Sequence, residues 1–253
     1  MNLSHFSVQS YADPQAVSRA AGEAIILLAN ELTKSTAHFS IALSGGSTPK
    51  AVYTLLASPP LVRQMPWDKT HIYFGDERHV RPDHPDSNYR MAYEAMLKSI
   101  PIPPENIFPI PTHDEIALCA EKYELLLHIN FPGSTFPRFD LVMLGIGPDG
   151  HMASLFPDTP APEERHRWVT WCDPVAANPG IKPPVKRVTM TAPVIWNAAH
   201  VFVLATGAEK APVLANIFSD EDPPNPPVSR LLRKCHGKVK FFLDQASAST
   251  GLR

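Results

Sequence analysis

Short apolar runs that end in a glycine turn and open into a helix recur along this chain, and that order sharply limits its folds. The clearest case is Phe39 to Leu43, followed by Ser44-Gly45-Gly46-Ser47-Thr48-Pro49, after which Ala51, Val52, Leu55 and Leu56 recur at helical spacing. Thr48 is expected to cap that helix, with the following proline placed where a helix start leaves its amide unpaired anyway. Upstream, Asp13 and Pro14 open an amphipathic helix through Val17, Ala21, Ala24, Leu28 and Leu32. Downstream, strands are expected at His71 to Gly75, Phe139 to Leu144, Arg187 to Met190, His200 to Ala205 and Val239 to Leu243. Helices are expected at Asn88 to Lys98, His113 to Asn130, Pro193 to Ala199 and Ala208 to Phe218. Parallel strands need crossover connections and helices supply them, so the alternation predicts a doubly wound α/β fold: a mostly parallel, Rossmann-like sheet with helices on both faces.

The 253 residues suit one such domain spanning the whole chain. The acidic, proline-rich stretch Ser219 to Pro227 is expected to be a surface loop before a last helix and strand, because too few residues lie beyond it for a separate core. The tail Ser247 to Arg253 reads as frayed. Lys plus Arg number 23 against 25 Asp plus Glu, so no global field draws the chain to nucleic acid or anionic lipid. Any anion must be met by a local site. The three cysteines, Cys119, Cys172 and Cys235, form no C-x-x-C pair and suggest neither a zinc site nor a disulfide framework. With no leader pattern and no apolar run near the ~18 residues of a membrane span, the expectation is a cytoplasmic protein without membrane or nucleic-acid partners.

Ligands of open parallel sheets bind beyond the carboxyl ends of the strands, so the residues after each strand carry the candidates. Ser44, Gly45, Gly46, Ser47 and Thr48 combine close backbone approach with the amides and positive dipole end of a helix, a fit to phosphate. The same pattern also serves a plain capped turn. It is neither a G-x-G-x-x-G nor a Walker loop. Asp76-Glu77-Arg78-His79 comes directly after an apolar strand and is expected to face the crevice, although internal ion pairing would explain it equally. Gly145-Ile146-Gly147-Pro148-Asp149-Gly150-His151 presents Asp149 and His151 on an unusual backbone path. Histidine is the side chain best suited to accept a proton near neutral pH, and a carboxylate can orient it. Arg187 and Lys210 are cations that the topology can bring to the first glycine turn. A metal around Asp76, His79, His84 and Asp86 matches no compact ligand motif, and no metal is expected.

The ordered set Leu43 to Pro49, Gly75 to Arg78, Asp86-Ser87-Asn88, Gly145 to His151, Arg187 to Met190 and Gly207 to Lys210 closely resembles the 6-phosphogluconolactonase family. That resemblance extends to the wider group of glucosamine-6-phosphate deaminases. It implies their shared sheet, no cofactor, a sugar-phosphate lactone as the small-molecule partner, and opening of 6-phospho-D-glucono-1,5-lactone to 6-phospho-D-gluconate in the oxidative pentose phosphate pathway. It places the substrate phosphate at Ser44 to Thr48 with Arg187 and Lys210, and the reacting lactone near Asp76, Arg78, Asp149 and His151. The expected mechanism has His151 activating water with Asp149 orienting the ring. Either Arg78 or backbone amides of residues 145–150 would meet the oxyanion. A monomer is expected. Deaminases of the related group carry a glutamate five positions after the histidine, where this chain has Phe156. A deaminase-like enzyme and a non-catalytic sugar-phosphate sensor are the rival readings.

Overall fold

In a computed structural model, which describes residues 6–219 and 228–249, nine strands occur in two sheets. They are β1 (Phe6–Tyr11), β2 (Phe39–Leu43), β3 (Thr70–Phe74), β4 (Asp76–Arg78), β5 (Leu141–Gly145), β6 (Val169–Cys172), β7 (Arg187–Met190), β8 (His200–Ala205) and β9 (Lys238–Asp244). Six of them form a wholly parallel sheet in the order β1-β9-β8-β5-β2-β3. The doubly wound α/β architecture is a consequence of the near-continuous apolar strands: every residue of β2 is buried, which requires cover on both faces. The helices are α1 (Pro14–Leu32), α2 (Ser47–Leu56), α3 (Asn88–Ala95), α4 (Ile116–Asn130), the short α5 (Pro174–Ala177) and α6 (Ala192–Asn197), and α7 (Ala211–Phe218); α1 packs on β1 and β9, and α2 on β5 and β8.

Asp13 caps α1 by accepting from the Ala16 amide at 2.8 Å. The buried face of α1 is Val17, Ala21, Ile25, Ile26 and Ala29, so Ala24, Leu28 and Leu32 lie at its margin rather than its centre. Thr48 does not cap α2. The helix starts two residues earlier, at Ser47 with Gly46 at the cap, and the Thr48 hydroxyl bonds Thr206 instead.

A second sheet, not apparent in the sequence, stands beside the first. Strands β4, β7 and β6 pair antiparallel, so Arg187 to Met190 is a strand as expected but lies outside the parallel sheet. Gly75 joins the two sheets: its amide donates to Leu43 O at 2.8 Å and its carbonyl accepts from Met190 N at 2.8 Å. Residues 220–227 of the expected acidic loop lie outside the described residues, and a 3₁₀ stretch at Val228–Lys234 precedes β9. Ser247, expected in a frayed tail, is fully buried, its hydroxyl donating to Ala205 O at 2.9 Å. Among the described residues no helix is long and apolar enough to cross a membrane.

Candidate active site

The carboxyl ends of β2, β3, β5 and β8 converge on a cavity of about 260 Å³. Its wall includes Ser44, Gly45, Gly46, Ser47 and Thr48 after β2, Asp76 and Arg78 on β4, the Gly145–Pro148 stretch with His151 after β5, and Thr206 with Lys210 after β8. A groove of about 1010 Å³ between α1 and α2 is larger, but it has no histidine and meets the cavity only along Ser47, Thr48 and Thr206.

The Ser44–Thr48 turn, the candidate anion loop, is held from beneath by a tyrosine. Tyr53, fully buried on α2, accepts from Ser44 N at 2.9 Å and donates to Ser44 O at 2.8 Å, which satisfies both backbone groups where the sheet ends. Burial raises the Tyr53 phenol above its ordinary range, so it stays neutral and can do both. Tyr123 of α4 treats Phe74 at the end of β3 the same way, at 3.0 and 3.1 Å. Ser44 Oγ accepts from Gly145 N at 3.3 Å and so ties the anion loop to the histidine loop. With Ser44 and Thr48 engaged, the loop offers a ligand the Ser47 hydroxyl and the first amides of α2.

The histidine loop closes on itself. Gly147 N donates to His151 O at 2.8 Å and Gly150 N to Gly147 O at 3.0 Å. A Cβ at Gly147 would fall 2.1 Å from His151 Nδ1, so only glycine lets the ring lie back against its own turn. Asp149 and His151, which the sequence leaves as neighbours of unknown contact, touch directly: one carboxylate oxygen meets Nδ1 at 2.5 Å and the His151 amide at 3.1 Å. Burial alone would raise the Asp149 carboxyl, but the hydrogen bonds and charge of His151 outweigh it and hold the group below its ordinary range. An ionised carboxylate only accepts, so Nδ1 carries the proton in the neutral ring and Nε2 keeps its lone pair. Phe156 packs on the imidazole with ring centroids 4.2 Å apart, which sets hydrocarbon against the ring.

The block Asp76 to His79 splits rather than facing the crevice together. Strand alternation on β4 turns Asp76 and Arg78 to the cavity and Glu77 away from it. Glu77 is buried and accepts four hydrogen bonds, from Arg78 N, Asn88 N, Tyr89 N and Ser87 Oγ, so it satisfies the first amides of α3. Burial pushes its carboxyl up, against the pull of those backbone donors. His79 Nε2 pairs with Asp114 O at 2.8 Å, and the residue is not part of the cavity wall. Arg78 lines the cavity and is fixed by Nη1 donating to Asp86 O at 2.7 Å.

Arg187 departs furthest from its expected place. It does not line the cavity: the residue is 3 % exposed, with Nε donating to Val185 O and Nη2 to Pro183 O. It pairs in register with Arg78, and burial, reinforced by that like charge, makes its proton easier to lose than an ordinary guanidinium's. Lys210, by contrast, does reach the wall. Its turn is hung from Asp244 at the end of β9, whose carboxylate accepts from Gly207 N at 3.1 Å. Thr206, on the cavity wall, and Asp244, which anchors the Lys210 turn, are residues of the candidate site that the sequence analysis misses. Thr206 comes directly after a strand and was accessible to the strand-end rule, whereas nothing in the local pattern marks Asp244. Among the described residues no three His, Cys, Asp or Glu side chains gather as metal ligands.

With this geometry in place, comparison with known proteins is direct. The family model described as glucosamine-6-phosphate isomerases/6-phosphogluconolactonase matches residues 12–241. The chain belongs to that family. Over 247 residues it is 39 % identical to a 6-phosphogluconolactonase of a Nostoc species, covering 96 % of this chain and 97 % of that one. The solved 6-phosphogluconolactonase from Trypanosoma cruzi superposes with a TM-score of 0.87 at 36 % identity, covering 98 % and 97 % of the two chains. A monomeric glucosamine-6-phosphate deaminase shares the fold, with a TM-score of 0.80 over 97 % of this chain and 100 % of its own, but only 21 % of residues. The likeness to the deaminase is one of fold.

Proposed function

We propose that this chain hydrolyses 6-phospho-D-glucono-1,5-lactone to 6-phospho-D-gluconate, a step of the oxidative pentose phosphate pathway. The observation that carries the reading is that His151, oriented by Asp149, shares one cavity of about 260 Å³ with the Ser44–Thr48 loop and Lys210. A sugar whose phosphate lies on that loop and Lys210 can reach the imidazole with its other end. Nε2 of His151 takes a proton from water as the oxygen attacks the lactone carbonyl, and the imidazolium is stabilised by Asp149. The tetrahedral intermediate then collapses. The bond from the carbonyl carbon to the ring oxygen breaks, and the ring oxygen leaves with a proton returned from the imidazolium. Arg78, on the cavity wall, is the oxyanion donor favoured here, because Gly145, Gly147 and Gly150 spend their amides within the fold and Pro148 has none, which leaves only the Ile146 and Asp149 amides of that loop as the alternative. Asp76 shares the cavity wall with both of its oxygens engaged, and Arg187 stands beside Arg78 on the neighbouring strand.

The amine-releasing reading is disfavoured by Phe156, which puts a ring where the related deaminases have a glutamate. The proposal also takes the chain as one domain, acting as a cytoplasmic monomer without a cofactor. The test is a coupled assay with freshly generated lactone against a no-enzyme control, since such lactones also open by themselves. Acid release well above the control supports the proposal, whereas ammonia release from glucosamine 6-phosphate would replace it. Saturable binding without turnover would leave a sensor.

A further inference from the structure

The Asp76 carboxylate lines the cavity, and the side chains that hold it are neutral. Its Oδ2 accepts from Ser154 Oγ at 2.7 Å, and its Oδ1 accepts from Asn88 Nδ2 at 3.2 Å, the same amide donating to the Asp76 carbonyl at 2.9 Å. Both donors are almost wholly buried. Each one stands against a different working loop. Ser154 lies three residues beyond His151. Asn88 heads α3, and its Oδ1 sits 2.1 Å from where a Cβ on Gly45 would be, so it packs directly against the backbone of the anion loop.

Ser154 is attached through each of its polar groups, and each attachment goes to a different strand of the small sheet. The hydroxyl bonds Asp76 of β4, the amide donates to Thr189 Oγ1 of β7 at 3.2 Å, and the carbonyl accepts from Cys172 Sγ of β6 at 3.2 Å. The residue just before it, Ala153, has φ of 49°, a left-handed conformation unfavourable for an L residue with a Cβ. Such strain persists where the surroundings over-determine it. The histidine loop is therefore fastened to the antiparallel sheet immediately after a strained residue.

We propose that Ser154 and Asn88 are positioning residues which, acting through the Asp76 carboxylate, set the separation between His151 and the anion loop. Asp76 then works as a fixed post with both oxygens occupied, and moves no proton. The inference rests on the lactone-hydrolase reading only for its kinetic readout.

The test uses the full chain with Ser154→Ala, Ser154→Cys, Asn88→Ala, Asp76→Asn and the double variant Asp76→Asn/Ser154→Ala. Loss of the Ser154 hydroxyl is expected to lower kcat by roughly 10- to 100-fold, in line with the sensitivity of rate to ~1 Å misplacement, with KM changed less than about threefold. The cysteine variant, a weaker donor of similar size, should fall between, and it carries the test if the alanine variant does not fold. Asn88→Ala should raise KM more than it lowers kcat, because its side chain abuts the anion loop. The double variant should be no slower than Asp76→Asn alone, since Ser154 acts through that carboxylate. Amide hydrogen exchange gives a readout independent of turnover: in Ser154→Ala, residues 145–151 should exchange roughly tenfold faster or more while residues 41–44 do not change. Wild-type kcat in both Ser154 variants, multiplicative losses in the double variant, or unchanged exchange in the histidine loop would each overturn the inference. Wild-type protein that fails to open lactone while the exchange result holds would instead reject the reading of function.

Discussion

The two sheets of this protein contribute to the same cavity in different ways. The parallel sheet contributes through the turns at its strand ends: the anion loop after β2, the histidine loop after β5 and the Lys210 turn after β8. The antiparallel sheet contributes from within its strands, with Asp76 and Arg78 on β4, and it fastens the loops that the first sheet presents. Groups at strand ends are free to meet a ligand, while those on β4, an edge strand, are held on one side by its ladder to β7. The proposed proton transfer and phosphate binding therefore fall to the first set, and the second supplies anchorage together with Arg78, the proposed oxyanion donor.

If that division holds, substitutions should separate into losses of turnover and losses of stability. The largest effect is expected for His151→Ala, a kcat loss of about 10²–10⁴ typical of a positioned general base, with KM for the lactone little changed in steady-state assays. Next comes Glu77→Ala, expected to cost about 3 kcal/mol in denaturant unfolding, because it strands buried amides that each cost ~1–3 kcal/mol unpaired. A Glu77 variant that keeps its stability but loses turnover would erase the distinction between the sheets. Lys210→Met should raise KM by about tenfold, equivalent to ~1.4 kcal/mol, and Arg187→Met by distinctly less, since its guanidinium is already spent on Val185 and Pro183 carbonyls. An equal rise for both would show that Arg187 turns into the cavity when ligand binds.

The smallest effect concerns Asp149 and pH. Its folded carboxyl is held below its ordinary value by His151, so its contribution to stability is present above that ordinary value and is lost as pH falls through the lowered one. The gap in thermal midpoint between wild type and Asp149→Asn should therefore close on acidification below about pH 4. With the carboxylate side chain 33 % exposed, that gap is small throughout.

The same division governs how much can be read from sequence. A strand, a glycine turn and a helix each leave a local signature, so β2, β5 and β8 and the loops beyond them are legible, and so is the presence of Phe156 near the histidine motif. Strand β4 is three residues long and wholly ionisable, so it has no apolar alternation to betray it. Its partners come from distant segments, and neither the escape of Glu77 from the crevice nor the retreat of Arg187 can be seen without that pairing. Strand β1 is an exposed edge with four outward residues and gives no periodic signal either. The buried hydroxyls of Tyr53 and Tyr123 look like ordinary core aromatics until their backbone partners are known.

The turn that carries Lys210 links two segments far apart in the chain. It hangs from Asp244, which closes β9, and β9 is flanked on its outer side by β1, with Gln245 N bonded to Tyr11 O at 2.9 Å. The edge strand β1, which is not part of the cavity wall, is thus the outer clasp of the turn proposed to hold the substrate phosphate. Trimming it or fusing a bulky tag close to it would register first as a looser hold on anions, before any loss in the rate of hydrolysis.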